Sequence, residues 1–343
     1  DAPAASGPVP MPSVAFARRA LTPGLGEWID RLNPDLRRMG GYQLGLRDAT
    51  GAPTGTVAGK FVRPAFVLLS ASAVGGRPLD ALAPALAAEL LHNASLVHDD
   101  IMDGDTERRH RPTVWAQFGP AQAILVGDAL IGLGFEVLSS DPHPCAPAAT
   151  TDLARTFRRV VIGQSRDLRY ERFDQVTTRD CLEMLEGKTG EMLGLACRLG
   201  ARYGGAPERW ADRLGRFGVH LGVAFQLIDD ILGIWGDPAE TGKPVGADLR
   251  RRKKSAPVIA AMATGTAGAA HLRRRYADAT DLGDAEVALL TEAVEEAGGR
   301  TWTWHEAERR IDAAWQELTE LDLHGPAVGE LRCLTDELLH RRC

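Results

Sequence analysis

The stretch LHNASLVHDDIMDGDTERRHRPT, residues 91–113, carries the side chains best suited to chemistry. Asp99 and Asp103 stand four residues apart, so on a helix they project within about 40° of one another. Asp100 sits beside them, and the three follow directly on Leu90, Leu91, Leu96 and Val97. Like charges at this spacing destabilise an isolated helix, and a bound cation removes that penalty. A few carboxylate oxygens, with room left for a substrate phosphate, are what Mg²⁺ prefers. A solvated helix end would carry the same residues, and a lone DDxxD is a weak signal. It does not stand alone. A second acidic pair, Asp229-Asp230, follows another apolar run in GVAFQLIDDILGIWGD.

The basic complement lies in several places. Arg108 and Arg109 follow the first acids; Lys60 and Arg63 lie in GKFVRP, Lys188 in GKTG, Lys243 in TGKPVGAD, and Lys253 in the run Arg250 to Lys254. Guanidinium forks grip phosphate oxygens in pairs, while lysines act as compact point charges. Acids able to hold Mg²⁺, together with separate Arg and Lys groups, are equipment for binding a diphosphate. The run 250–254 alone reads as a solvated basic face. Neither Lys60 nor Lys188 follows the Gly-rich loop of a P-loop. His92 and His98 lie near the acids but lack zinc spacing.

The elements that position these groups are helical. Apolar residues recur at i, i+3, i+4 and i+7, as in Leu82, Leu86, Leu90 and Leu91. The pattern predicts helices near 14–33, 60–74, 78–104, 120–139, 150–174, 178–203, 207–236, 255–264, 284–298, 303–321 and 326–341. Gly and Pro mark the joins, for example Gly75-Gly76, Asp141-Pro142 and Gly204-Gly205. Long apolar helices with short joins imply one large bundle whose interior could hold a ligand. Residues 14–343 are therefore expected to form a single domain, after a Pro-, Ala- and Gly-rich segment 1–13 expected to be disordered.

Composition excludes several classes. A net charge of −6 over 343 residues does not attract nucleic acid or an anionic membrane, so any phosphate site must be local. The 44% hydrophobic content is enough to build a sizeable core. Five widely spaced cysteines suggest neither zinc nor a disulfide framework, only reduced thiols in a cytoplasmic protein. No apolar run is expected to reach the roughly 20 residues that span a bilayer, hence no transmembrane segment. The start, DAPAASGPVPMP, lacks the regions of a signal peptide and an initiator Met, which suggests further sequence upstream.

Several motifs occur in a telling order: GKFVRP, ELLHNASLVHDDIMDGDTERR, GDAL at 127–130, GQSRDL at 163–168, GKTGEML, FQLIDD and GKPVGADLRRRKKSAP. Over about residues 55–260 the chain resembles the trans-isoprenyl diphosphate synthase (polyprenyl synthetase) family. The resemblance implies an all-α, isoprenoid synthase-type helical bundle around a deep central cavity, working as a homodimer. It implies a prenyltransferase that condenses isopentenyl diphosphate with dimethylallyl, geranyl or farnesyl diphosphate. Three Mg²⁺ ions are implied: Asp99 and Asp103, with Asp100 supporting, would bind ions that bridge the allylic diphosphate. Asp229 would hold a further ion, with Asp230 acting through water. Arg108, Lys188, Lys243 and Lys253 would contact the allylic diphosphate; Lys60, Arg63, His92 and Arg109 would hold isopentenyl diphosphate. Thr189 and Gln226 would present oxygen dipoles to the developing allylic cation.

The chain departs from the family pattern at four places. Gly233 stands where the second motif has a third Asp, and Asp237 is the nearby acid that could compensate if the helix bends. His110 replaces the Gly after the paired arginines, Arg252 replaces the Gly before Lys253, and Ser255 replaces a Thr. In this family the helix before the first acids forms the floor of the chain pocket. Here that floor has the small residues Ala94 and Ser95, with Leu91 a turn further back and Ile124, Gly127, Ala129 and Phe135 as facing candidates. Without an aromatic stop, geranylgeranyl diphosphate is the expected product, ahead of shorter or longer chains. A class I terpene cyclase would need no second diphosphate site, so Lys60, Arg63, His92 and Arg109 argue against it. A catalytically weakened subunit or cargo protein is favoured only by Gly233. A nucleotide pyrophosphohydrolase explains neither GKTG nor GADLRRRKK.

Overall fold

The structure, a computed structural model, describes residues 13–172, 175–237, 245–278 and 282–339. Lys243 and the segment 1–12 lie outside the described residues. Helix makes up 76% of the structure, so the fold class is all-α, as the hydrophobic period requires.

α1 (Val14–Asp30) begins at Ser13, whose hydroxyl accepts from the Phe16 amide. α2 (Pro34–Gln43) begins at Asn33, which caps the Leu36 amide, with Pro34 as its first residue. There follow α3 (Val62–Ala73), α4 (Leu82–Met102), the strands β1 (Glu107–Arg108) and β2 (Arg111–Pro112), α5 (Val114–Phe118), α6 (Pro120–Ser139) and α7 (Ala146–Arg172). Next come α8 (Thr178–Leu185), α9 (Glu191–Tyr203), α10 (Glu208–Trp235), α11 (Ala247–Arg250) and α12 (Ala256–Met262). The described chain closes with α13 (Ala267–Ala277), α14 (Asp284–Glu296), α15 (Gly299–Thr319) and α16 (Pro326–Leu339).

Periodicity finds the long helices and misses short ones. α2, α5, α11 and α13 are not among the expected spans. α2 contains Gly40-Gly41, and α13 buries only Ala269 and Leu272, so neither shows a strong apolar stripe. The span expected at 178–203 is α8 and α9 joined by a π-turn, Glu186–Gly190. The span expected from 78 opens with a 3₁₀ turn, Pro78–Ala81.

The described residues divide into two compact units: those within 13–155, 195–215 and 322–332 form the first, and those within 156–194, 216–321 and 333–339 the second. In the first unit α4 packs with α3 and α6. It is buried around most of its girth, through Ala85, Leu86, Ala87, Ala88, Leu90, Leu91, Ala94 and Val97. In the second unit Ile234, Leu249, Val258, Leu272, Val287, Leu290 and Val294, from α10 to α14, form a common core. Each such side chain contributes roughly 1.5–3 kcal/mol by leaving water. These two cores hold the acidic ends of α4 and α10 in place.

The expectation that no stretch reaches membrane length is corrected. α6 and α10 are long and apolar enough to cross a bilayer by length and composition alone, with mean hydropathies of 1.6 and 1.4 over their most apolar windows. The core helix of a globular protein meets the same test, and 44% and 61% of those windows are buried within the fold. Among the described residues the cysteines are free thiols. Burial pushes the Cys197 thiol up to about 12, which leaves it protonated and inert.

Candidate active site

In the first unit, α4 ends at Met102 with Asp103 as its C-cap, so Asp99 and Asp103 share the last turn. Asp99 is half-buried and Asp103 exposed. Asp100 faces inward and is buried. Its Oδ1 accepts from Arg108 Nε at 2.7 Å and lies 2.6 Å from Arg108 Nη2, while its Oδ2 is buried without a hydrogen-bond partner. Burial raises the Asp100 pKa, and the Arg108 hydrogen bond works against that. Among the described residues no three acidic, imidazole or thiol groups already converge on a metal position. Mg²⁺ does not need them to. It keeps several waters and takes one or two carboxylates plus substrate phosphate. An all-oxygen donor set with one orphaned buried carboxylate oxygen therefore fits that ion.

Arg108 reaches Asp100 because of a hairpin the sequence conceals. β1 and β2 pair antiparallel, with Arg108 opposite Arg111. The two turn residues, Arg109 and His110, both have positive φ, 54° and 59°. That is the conformation of a two-residue I′ turn, which Asn-Gly would normally signal. Thr113 and Trp115 both donate to the Asp105 carbonyl, and the Tyr42 hydroxyl donates to the Pro112 carbonyl, which fastens the hairpin to α4 and α2.

Of the expected second basic set, Arg63 and His92 meet in this unit. Arg63 Nη1 lies 3.0 Å from His92 Nε2. A guanidinium can only donate, so Nε2 accepts and the imidazole carries its proton on Nδ1. Burial, together with Arg63, Arg109 and Arg108, holds the His92 pKa well below its ordinary value. His92 is therefore a neutral hydrogen-bonding group. Arg63 Nε is buried with no hydrogen-bond partner. Burial disfavours its charge, which Glu89 supports and Arg109 opposes.

Glu89 is the residue of this unit that sequence reasoning missed. It is buried, accepts from Asn93 Nδ2 at 2.9 Å, and has its pKa raised by burial against the pull of Arg63. No spacing signal marks it, because it sits one position before the apolar pair Leu90-Leu91. Lys60 is exposed, immediately before Phe61, whose φ of 53° turns the chain into α3.

Of the expected chain-pocket residues, Leu91 and Ala94 are buried, and Ser95 is half-buried with its hydroxyl donating to the His92 carbonyl. Ile124 does not face inward as expected: its side chain is 48% exposed. Its carbonyl lies 3.2 Å from His98 Nε2 instead.

In the second unit, the π-turn presents Lys188 and Thr189 from consecutive positions. Lys188 pairs with Asp167, from GQSRDL. Thr189 Oγ1 donates to Gln226 Oε1 at 3.2 Å, and Gln226 Nε2 donates to Asp230 Oδ1 at 3.1 Å. These two bonds orient the amide, with oxygen toward Thr189 and nitrogen toward the acid. Asp230 is buried and also accepts from Lys253 Nζ at 3.1 Å and from the Ala256 amide at 3.0 Å. Asp229, its neighbour on α10, is half-buried. Burial works against the charge on Lys253, but Asp230 and Asp248 outweigh it and hold its pKa above the ordinary value. Lys253 is a permanent cation at the side of Asp230. Asp167 and Asp248 were not singled out from the sequence, since a single acid far from its partner carries no spacing signal.

The sequence matches the profile of the polyprenyl synthetase family over residues 52–294. It is 39% identical over 335 residues to a (2E,6E)-farnesyl diphosphate synthase of Mycobacterium tuberculosis, covering 97% of this chain and 93% of that one. It is equally 39% identical over 328 residues to a geranylgeranyl diphosphate synthase of the same organism, covering 95% and 93%. Among solved structures, a polyprenyl synthetase from Streptomyces coelicolor A3(2) is 45% identical, with a TM-score of 0.90 over 95% of this chain and 98% of that one.

Proposed function

Because the chain belongs to the polyprenyl synthetase family and is a trans-prenyltransferase, we propose that it condenses isopentenyl diphosphate with an allylic diphosphate to make geranylgeranyl diphosphate. The observation that carries the two-substrate reading is the half-buried pair Arg63 and His92, 3.0 Å apart, with Nε of Arg63 left without a hydrogen-bond partner. It lies apart in sequence from the acids of Asp99 to Asp103 and suits a second diphosphate, which a cyclase does not use.

Asp99, Asp103 and the orphaned Oδ2 of Asp100 would hold Mg²⁺, and Asp229 a further ion. Bound Mg²⁺ supplies Lewis acidity and charge neutralisation to the leaving diphosphate. Arg108, Lys188, Lys243 and Lys253 bind the allylic diphosphate and stabilise it as it leaves. Neutral His92 and the guanidinium groups of Arg63 and Arg109, with Lys60, hold isopentenyl diphosphate so that its double bond meets the allylic carbon. Thr189 and Gln226 would present oxygen dipoles to the positive charge that develops on the allylic carbon. Buried apolar walls keep out water, which would quench the cation. The released diphosphate then takes the proton whose loss restores a double bond. The enzyme acts as a homodimer.

Two measurements test this reading. Incubation with Mg²⁺, isopentenyl diphosphate and each of the C5, C10 and C15 allylic diphosphates should yield a C20 diphosphate, and Asp99→Ala should lower kcat by at least about a thousandfold. A cyclic hydrocarbon, or near-normal turnover in Asp99→Ala, would defeat the proposal. Product length is contested by the two mycobacterial relatives, one named for each product. Half-buried Ser95, where no aromatic blocks chain growth, supports the longer one. Ser95→Phe should shift the product to C15, and an unchanged C20 product would remove α4 from the control of length.

A further inference from the structure

α1 precedes residues 52–294, the stretch that matches the family profile. Its buried stripe is Ala17, Leu21, Leu25 and Ile29, about one residue per turn, which seats the helix on α3 and α4. Arg18 lies half-buried on the flank of that stripe. Its guanidinium is turned onto backbone: Nη1 donates to the Val57 carbonyl at 2.9 Å and Nη2 to the Gly59 carbonyl at 2.6 Å. The same group lies over the Phe61 ring, 5.1 Å from its centroid. A planar fork can hold two carbonyls at once in fixed geometry, which a compact ammonium does not.

We propose that Arg18 is a positioning residue for isopentenyl diphosphate, holding residues 57–61 in the shape that presents Lys60 and Arg63 to that substrate. This rests on the two-diphosphate reading given above, and three features of the first unit support it. The segment is held from more than one element: Ala58, between the two carbonyls that Arg18 takes, donates its amide to the Leu44 carbonyl at 2.7 Å. Three consecutive residues are thereby fixed immediately before Lys60. The backbone is also one that needs holding. Gly59 has φ 118° and Phe61 φ 53°, the latter a conformation in which Cβ crowds the neighbouring carbonyl. Finally, other groups of the site stand against the same segment. A Cβ built on Gly59 would lie 3.4 Å from Glu89 Oε1 and 3.5 Å from Arg109 Nη1. Arg18 is close enough to act on the charges of both Glu89 and Arg109. A shift of this segment would move Lys60, and the start of α3 that carries Arg63, relative to Arg109.

The test is steady-state kinetics on the full chain with Mg²⁺, varying isopentenyl diphosphate at saturating allylic diphosphate and then the converse. Arg18→Met keeps an apolar stem over Phe61 and removes the charge and both donors. It should raise the KM for isopentenyl diphosphate about tenfold, the scale of losing charge-assisted hydrogen bonds that shape a site. The KM for the allylic substrate should stay within about twofold of wild type. Arg18→Lys, which keeps the charge without the fork, should fall between wild type and Arg18→Met. Arg19→Ala, at the exposed neighbouring position, should leave both KM values unchanged. A merely structural role would reduce the active fraction, and hence kcat, without separating the two KM values. A wild-type KM for isopentenyl diphosphate in Arg18→Met, or an equal rise in both KM values, overturns the inference. Where Arg18→Met does not fold, Arg18→Lys decides by the same split, and its absence overturns the inference too. Wild-type protein that does not condense the two diphosphates would sink the proposed function; active wild type with an indifferent Arg18→Met would sink only this one.

Discussion

Four residues around the diphosphate-binding segments hold left-handed backbone without being glycine: Phe61, Arg109, His110 and Arg252, at φ 53°, 54°, 59° and 50°. Each costs roughly 1–2 kcal/mol, because Cβ crowds the neighbouring carbonyl. His110 and Arg252 stand where the family pattern carries glycine, so the backbone shape is kept while its usual residue is not. The Arg252 guanidinium recovers part of the cost by donating to the Arg275 carbonyl at 3.2 Å. His110 recovers little: its side chain is 98% exposed and only 3.8 Å from Glu107. His110→Gly should therefore stabilise the protein by about 1 kcal/mol in urea unfolding. A loss of stability would show that the imidazole contact outweighs the strain. At this scale the acids and bases were legible from type and spacing, but the turn that aims Arg108 was not. Arg-His is not a turn signal, and only the paired strands on either side impose the shape.

Elements decide which functional groups become neighbours. The window over GKTG reads as one continuous amphipathic helix, yet the chain inserts a π-turn at Glu186–Gly190. The cause is a close crossing within the second unit. A Cβ on Gly163 of α7 would lie 2.4 Å from the Lys188 amide nitrogen and 2.7 Å from the Gly187 carbonyl carbon. Both are backbone atoms, so no rotamer change relieves the contact. Gly163→Ala should destabilise the protein by roughly 1–3 kcal/mol. By displacing Lys188 and Thr189 it should also lower kcat/KM for the allylic substrate more than kcat/KM for isopentenyl diphosphate. Steady-state kinetics with each substrate varied in turn would check this, and an equal loss for both would point to general unfolding. Hydrophobic periodicity cannot reveal such a bulge, since one inserted residue leaves the apolar stripe nearly intact while rotating the polar residues beside it.

For the molecule as a whole, the proposed homodimer has a candidate surface. Ile124 and Leu125 on α6 are 48% and 52% exposed, side by side on a helix whose other face packs on α4. Light scattering should give the mass of two 36.9 kDa chains. Ile124→Glu with Leu125→Glu should give one, because a charge buried in an apolar contact costs more than the contact returns; an unchanged mass would place the interface elsewhere. The sequence by itself determined the all-α class, the two acidic ends, the basic groups and the ordered motifs of the family. Those properties follow from local period and residue type, which survive in a linear string. Tertiary structure decided that Arg108 would be held by Asp100, that Arg63 would meet a neutral His92 over a buried Glu89, and that the space beside Gly233 would be filled by Asp248 from α11. Each of these depends on which backbones approach closely and what they exclude from water, and close packing between distant segments leaves no periodic trace in the chain.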